Sequence, residues 1–341
     1  MIRYIGINPV KGAEKMGKKT GNKKNTAKAL AIAAASTGAA VGAAYVTVGN
    51  VIYNKFMSKK AINKQMLVNS ENAMDNKYYP KYQEGLDWFK SMKPSKVKIV
   101  SPRGGYVHAD FISAKEDSEH SDVWVILAHA YMGAPAHMGI YGEKFYEMGF
   151  NCIYPHLCGH GKSETNEVSL GWHDRIDVLG WIEYILNENP HAKIVLFGVS
   201  LGAATVMMTT GEDLADNVVC AIEDCGFTSA WDECRIQFKE LIGLPLFPFL
   251  TSANTASKMR NKLDIKEASC IEQVKKSRTP TLFIHGDKDD FVPFWMQDTL
   301  YKAASCEKER LVIPGASHGE SAVVDPEKYF STVKAFIEKY I

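Results

Sequence analysis

Cysteine is too scarce here to staple the chain. There are seven in 341 residues, an odd number with no CxxC pair, and several fall in apolar runs. Buried free thiols are therefore expected, and a disulfide scaffold is excluded. Net charge is nearly absent as well, with 40 Lys+Arg against 39 Asp+Glu. That balance removes any global attraction to nucleic acid. Two apparent ligand motifs lack essential members. Gly161-Lys162-Ser163 resembles the end of a phosphate loop, but the glycine required at position 156 is His156. The alternation His156, Cys158, His160 has no second ligand pair at zinc spacing, so neither metal nor cofactor is expected. Internal repeats are also lacking.

The most local absence is charge between Ala29 and Asn54. As a helix these residues would span about 39 Å, beyond the roughly 30 Å hydrocarbon core. Before this run the only acid is Glu14, set against Arg3, Lys11, Lys15, Lys18, Lys19, Lys23, Lys24 and Lys28. A basic flank before an apolar run predicts a cytoplasmic N-terminus (1–28), a transmembrane signal anchor (29–54) and an extracytoplasmic catalytic part. A cleaved signal peptide, favoured by the small residues around Ala39 to Ala44, and a buried helix are the alternatives. A connector with N-terminal helices (55–94) follows.

From about residue 95 the pattern turns regular. Apolar, β-branched runs at 96–100, 108–114, 122–129, 151–155, 193–199, 218–224, 281–286 and 310–314 alternate with helix-length stretches near 137–148, 174–187, 201–211, 294–305 and 325–340. This alternation predicts an α/β fold with a mostly parallel eight-stranded sheet and helices on both faces. Residues 227–275 break the rhythm with the apolar, Gly/Pro-broken LIGLPLFPFL and predict a lid.

Three segments carry chemistry. Gly198-Val199-Ser200-Leu201-Gly202 follows an apolar strand and opens a helix, the context of a nucleophile elbow. HGDKDDFVP (285–293) puts Asp287, Asp289 and Asp290 at the carboxyl edge of the sheet, where open α/β folds place ligands. His318, in Gly315-Ala316-Ser317-His318-Gly319, lies past the last strand, within reach of the serine as a general base. The order Ser…Asp…His is that of an α/β-hydrolase.

Over roughly 95–340 the chain resembles the α/β-hydrolase superfamily, and within it the serine-aminopeptidase-like bacterial hydrolases that carry an N-terminal membrane anchor. The resemblance selects Asp289, four residues before Pro293, as the acid of the triad. It also implies an oxyanion hole from the backbone N–H groups of Tyr131 and Leu201. Three positions in two segments depart from the family pattern. The usual His-Gly after the third strand is His129-Ala130, and the loop D-x-R-G-H-G-x-S has His156 and Cys158 for its Asp and Arg. The implied activity is cleavage of carboxylic esters or amides through an acyl-enzyme on Ser200, with a small-molecule ester or peptide as substrate and the membrane as the only other partner. Acyl transfer to another acceptor uses the same residues. An anchored but catalytically silent binding module is the rival from a different class.

Overall fold

The computed structural model describes residues 38–64 and 77–341. Eight strands form one sheet in the order β1-β2-β4-β3-β5-β6-β7-β8. The strands are β1 (Ser95–Val100), β2 (Tyr106–Ile112), β3 (Val123–Ala128), β4 (Asn151–Pro155), β5 (Lys193–Val199), β6 (Val218–Asp224), β7 (Thr281–Gly286) and β8 (Lys308–Ile313). β2 is antiparallel to both β1 and β4, and the other pairings are parallel. Central strands such as β3 and β7 are buried at every position, as strands covered on both faces must be. Edge strand β1 is partly exposed throughout, so its sequence alternates instead.

Helices α1 (Gly38–Met57), α2 (Tyr79–Ser91), α3 (Gly139–Glu147), α4 (Asp174–Glu188) and α5 (Leu201–Thr210) are followed by α6 (Ala230–Ile242), α7 (Leu246–Asn261) and α8 (Cys270–Val274). The series ends with α9 (Trp295–Ala303), α10 (Ser321–Val324) and α11 (Pro326–Ile337). Alternation along β5 divides the core. Ile194 and Leu196 join Val178, Trp181 and Met207 on one face of the sheet. Val195 and Phe197 join Tyr141, Phe145, Tyr329 and Phe336 on the other. Residues 227–275, where a lid is expected, hold the three helices α6 to α8. Ser229 caps α6 by accepting from Asp232 N (3.0 Å), and Gly243 closes it in the left-handed region (φ 66°).

The expected membrane span is only partly within the described residues, since 29–37 lie outside them. Among the described residues no helix is long and apolar enough to cross a membrane. From Gly38 onward the run belongs to α1, which lies against α7. A Cβ on Gly49 would sit 2.2 Å from Ser252 O, so the two backbones touch. The small side chains Ser252, Ala253 and Ala256 of α7 are buried and make that approach possible.

Candidate active site

β5 leads straight into α5 through Ser200, whose backbone (φ 57°, ψ −113°) lies in a region that L-residues avoid. Holding it there costs of order 1–3 kcal/mol and requires tight packing. The flanking glycines supply that packing. A Cβ on Gly198 would meet Gly202 O at 2.2 Å, and one on Gly202 would meet Ala128 O at 1.9 Å. Ser200 N donates to Asp224 O (2.8 Å), which fastens the turn to the end of β6. The hydroxyl is thereby held at the carboxyl edge of the sheet.

The loops after β7 and β8 converge on it. Ser200 Oγ lies 2.9 Å from His318 Nε2, and His318 Nδ1 lies 2.7 Å from Asp289 Oδ2. Asp289 Oδ1 accepts from the N–H groups of Phe291 (3.0 Å) and Val292 (2.9 Å). All three side chains are buried. Burial alone would raise the Asp289 carboxyl, but the two neighbouring imidazoles, His318 first, hold it well below the usual carboxylate range. For His318, burial outweighs Asp289, and its affinity for a proton falls below that of an ordinary imidazole. The two competing aspartates are elsewhere. Asp287 accepts from Gly315 N (2.6 Å) and pairs with Lys288, and Asp290 is exposed.

One member of this cluster escaped the sequence reading. His285, at the end of β7, reaches Asp289 Oδ2 with Nε2 (3.2 Å) while bonding Val292 O (2.9 Å). Asp289 thus lies between two imidazoles. The signal was present in the His285-Gly286 pair that opens the acid-bearing segment.

Around the expected oxyanion donors, two neutral histidines hold the loop after β3. His129 Nδ1 bonds Ala130 O (2.9 Å), and its Nε2 accepts from Leu157 N (3.3 Å). His160 Nδ1 bonds Cys158 O (2.9 Å), and its Nε2 accepts from Met132 N (3.1 Å). Burial drives both rings away from protonation, His160 to about 4, so each can accept as well as donate. Leu201 is the first residue of α5, where helical N–H groups have no intrahelical partner. Leu201 directly follows Ser200, Tyr131 sits on the loop after β3 whose start (Ala128 O and His129 O) lies against Gly202, and the Met132 amide is already committed.

The departures at positions 156 and 158 have a physical account. Arg103, from the β1–β2 turn, brings the guanidinium that position 158 lacks. It bonds Asp177 through NH2 (2.6 Å) and Nε (3.1 Å) and reaches Cys158 Sγ (3.3 Å). Asp174 accepts from Cys158 N (2.6 Å) on the same loop. His156 lies 3.5 Å from Asp110 and accepts from Lys162 N (3.2 Å). Among the described residues, two groups have ligand atoms close enough to hold a cation, Cys158–Asp174–Asp177 and Cys225–Asp289–His318. A guanidinium already fills the first, and the second is the serine–histidine site itself.

Residues 141–341, more than half of the chain, match the model of the prolyl oligopeptidase family. The chain belongs to the prolyl oligopeptidase family. It is 26% identical over 258 residues to the uncharacterized protein YqkD of Bacillus subtilis, covering 74% of this chain and 83% of that one. Protein bem46 of Schizosaccharomyces pombe is 25% identical over 232 residues, 67% of this chain and 71% of its own length. Among solved structures, the Pyrococcus furiosus esterase Pf2001 superposes with a TM-score of 0.60 at 19% identity, over 73% of this chain and 92% of that chain. The acylaminoacyl peptidase of Pyrococcus horikoshii gives 0.53 at 19%, over 74% of this chain and 42% of that one. This member of the prolyl oligopeptidase family is a serine hydrolase with the α/β-hydrolase fold.

Helix α6 of this family member carries a group with no counterpart in the sequence reading. Both Glu233 carboxyl oxygens are buried and neither makes a well-formed hydrogen bond, although the Gln237 amide lies beside them. Gln237, one turn on, is committed to Phe291 O (2.9 Å), and the Phe291 ring packs 5.0 Å from that of His318. Burial, with the Asp289 charge adding, pushes the Glu233 carboxyl well above the usual carboxylate range.

Proposed function

We propose that Ser200, His318 and Asp289 cleave carboxylic esters through an acyl-enzyme. The observation that carries this reading is the continuous chain from Asp289 through His318 to a serine held on a strained elbow. In the first step Ser200 Oγ attacks the carbonyl carbon as its proton passes to His318 Nε2. Asp289 accepts from Nδ1–H and stabilises the imidazolium that forms. The N–H groups of Tyr131 and Leu201 receive the oxyanion. The intermediate collapses when His318 protonates the leaving oxygen, and a water activated by the same imidazole releases the acid.

Peptide bonds are the second reading, favoured by Glu233. A carboxyl buried without a well-formed hydrogen bond is costly, and a protonated substrate amine arriving beside it would supply one. The test is a full-length preparation labelled with a fluorophosphonate and assayed on p-nitrophenyl acyl esters of increasing chain length beside aminoacyl p-nitroanilides. Labelling at Ser200 with turnover of the acyl esters is expected. If the anilides are cleaved, Glu233→Gln should weaken them by roughly ten- to a hundredfold while sparing simple esters, since a charged hydrogen bond is worth roughly 1.5–3 kcal/mol. A folded protein that neither labels nor turns over either series would return the site to a silent fold.

The pH dependence follows from His318. A general base acts only when unprotonated, and burial lowers the proton affinity of this imidazole below its ordinary value. Activity is therefore present above that lowered pKa and falls as pH drops through it. The acid limb of kcat/KM, which reports the free enzyme, is expected below the usual imidazole pKa of about 6.5. A profile that bends at or above that value would contradict the assignment.

A further inference from the structure

The last turns of α1 bring together three parts of the molecule that serve the site. Tyr131, whose amide stands as an oxyanion donor, gives its side-chain hydroxyl to Phe56 O (2.5 Å). The loop between β4 and α4 is tied to the same turn, with Val168 N donating to Met57 O and Lys59 N to Asn166 O, each at 2.8 Å. Helix α7 is tied by Arg260, which bonds Glu167 Oε1 (2.6 Å) and Asn54 Oδ1 (2.5 Å), while Tyr53 hydrogen-bonds Glu167 from the other side. His160, on that loop, also holds the Met132 amide next to Tyr131. The oxyanion loop is thus braced to α1 twice, once directly through Tyr131 and once through His160.

We propose that α1 is a positioning element of the active site, with the Tyr131 hydroxyl–Phe56 carbonyl bond setting where the Tyr131 amide points. The proposal rests on the reading of Ser200 as nucleophile and Tyr131 N–H as oxyanion donor. Tyr131 then acts twice, its amide meeting the reacting oxygen and its hydroxyl fixing that amide from a helix that precedes the sheet in the chain. An oxyanion donor counts only if aimed at the oxygen of the transition state rather than of the ground state. Loosening this brace should therefore slow the chemical step and leave substrate affinity nearly intact.

The test uses the full chain and two substitutions outside the triad. Tyr131→Phe keeps the ring and the backbone amide and removes only the hydroxyl donor. Gly49→Leu drives a side chain into Ser252 O and separates α1 from α7. Each is expected to lower kcat on an ester by about ten- to a hundredfold, the scale of a misplaced catalytic group, with KM within about twofold. Combined, they should do no more than the stronger one alone. Wild-type kcat in a folded Tyr131→Phe protein would overturn the proposal, and so would a loss expressed as a higher KM alone. Ser200→Ala measured alongside separates the two ideas. If the serine variant keeps its activity, the nucleophile assignment fails. If it is dead while Tyr131→Phe is unaffected, only the brace fails.

Discussion

Ser200→Ala is expected to lower kcat on a p-nitrophenyl ester by roughly 10⁵–10⁶-fold and to abolish fluorophosphonate labelling, with the fold intact. The size of the effect comes from the cooperative character of the group. His318 and Asp289 are spaced to take a proton from one hydroxyl, at 2.9 and 2.7 Å along the chain of contacts. Without the hydroxyl there is no covalent step for them to assist. Oxyanion donors and binding alone then leave a residual rate roughly 10³–10⁴-fold above water. Stability should hold or rise slightly, because the substitution removes only a hydroxyl and the elbow strain belongs to the backbone (φ 57°). Measured kcat for the purified variant beside its circular dichroism spectrum checks both statements. Activity within tenfold of wild type would remove Ser200 from the nucleophile role.

The second large effect is one of stability and lies outside the triad. Arg103→Met should destabilise the protein by about 2–4 kcal/mol, somewhat below the cost of breaking a fully buried ion pair because the guanidinium retains some contact with water. Its side chain is 24% exposed and that of Asp177 only 10%. The substitution keeps most of the apolar stem but leaves Asp177 facing the nearby Asp174 without a cation. Burial and these two carboxylates already push the Cys158 thiol well above its ordinary pKa, and the loss of Arg103 would deepen that repulsion. Thermal unfolding should shift down by roughly 5–10 °C for a domain of this size. Adding Asp177→Asn should recover part of the loss, since it removes the stranded charge. An unchanged melting temperature for Arg103→Met would mean that the pair is solvated and contributes little.

The same region marks how far a sequence can be read. Strands β4, β5, β6 and β7 fall at the expected residues because parallel strands buried on both faces appear as unbroken apolar runs bounded by turn residues. The elbow is legible for an equally local reason. Gly-x-Ser-x-Gly between an apolar strand and a helix start leaves few conformations open to the serine, and the order of acid and base follows the order of strands. The convergence of Ser200 and His318 with one of the acids at 287–290 was thus implied by local patterns plus one topology, and the family resemblance selected Asp289 among them.

What only the tertiary structure decided are contacts between segments whose local sequence says nothing of each other. Arg103 and Cys158 are 55 residues apart, and neither carries a mark of the other. Nothing local to Glu233 marks it for burial until α6 packs, with Gln237 tied to Phe291 beside His318, and the Glu233 carboxyl oxygens lose water. The uncharged run that includes α1 illustrates the limit most clearly. Hydropathy measures only the drive to leave water and is indifferent to what receives the helix. Here the small residues of α7 offer a surface on which the Gly49 backbone seats. Periodicity and turn chemistry are encoded within a few residues and survive in one dimension. The pairing of distant surfaces depends on shape, charge and burial, which exist only once the chain has folded.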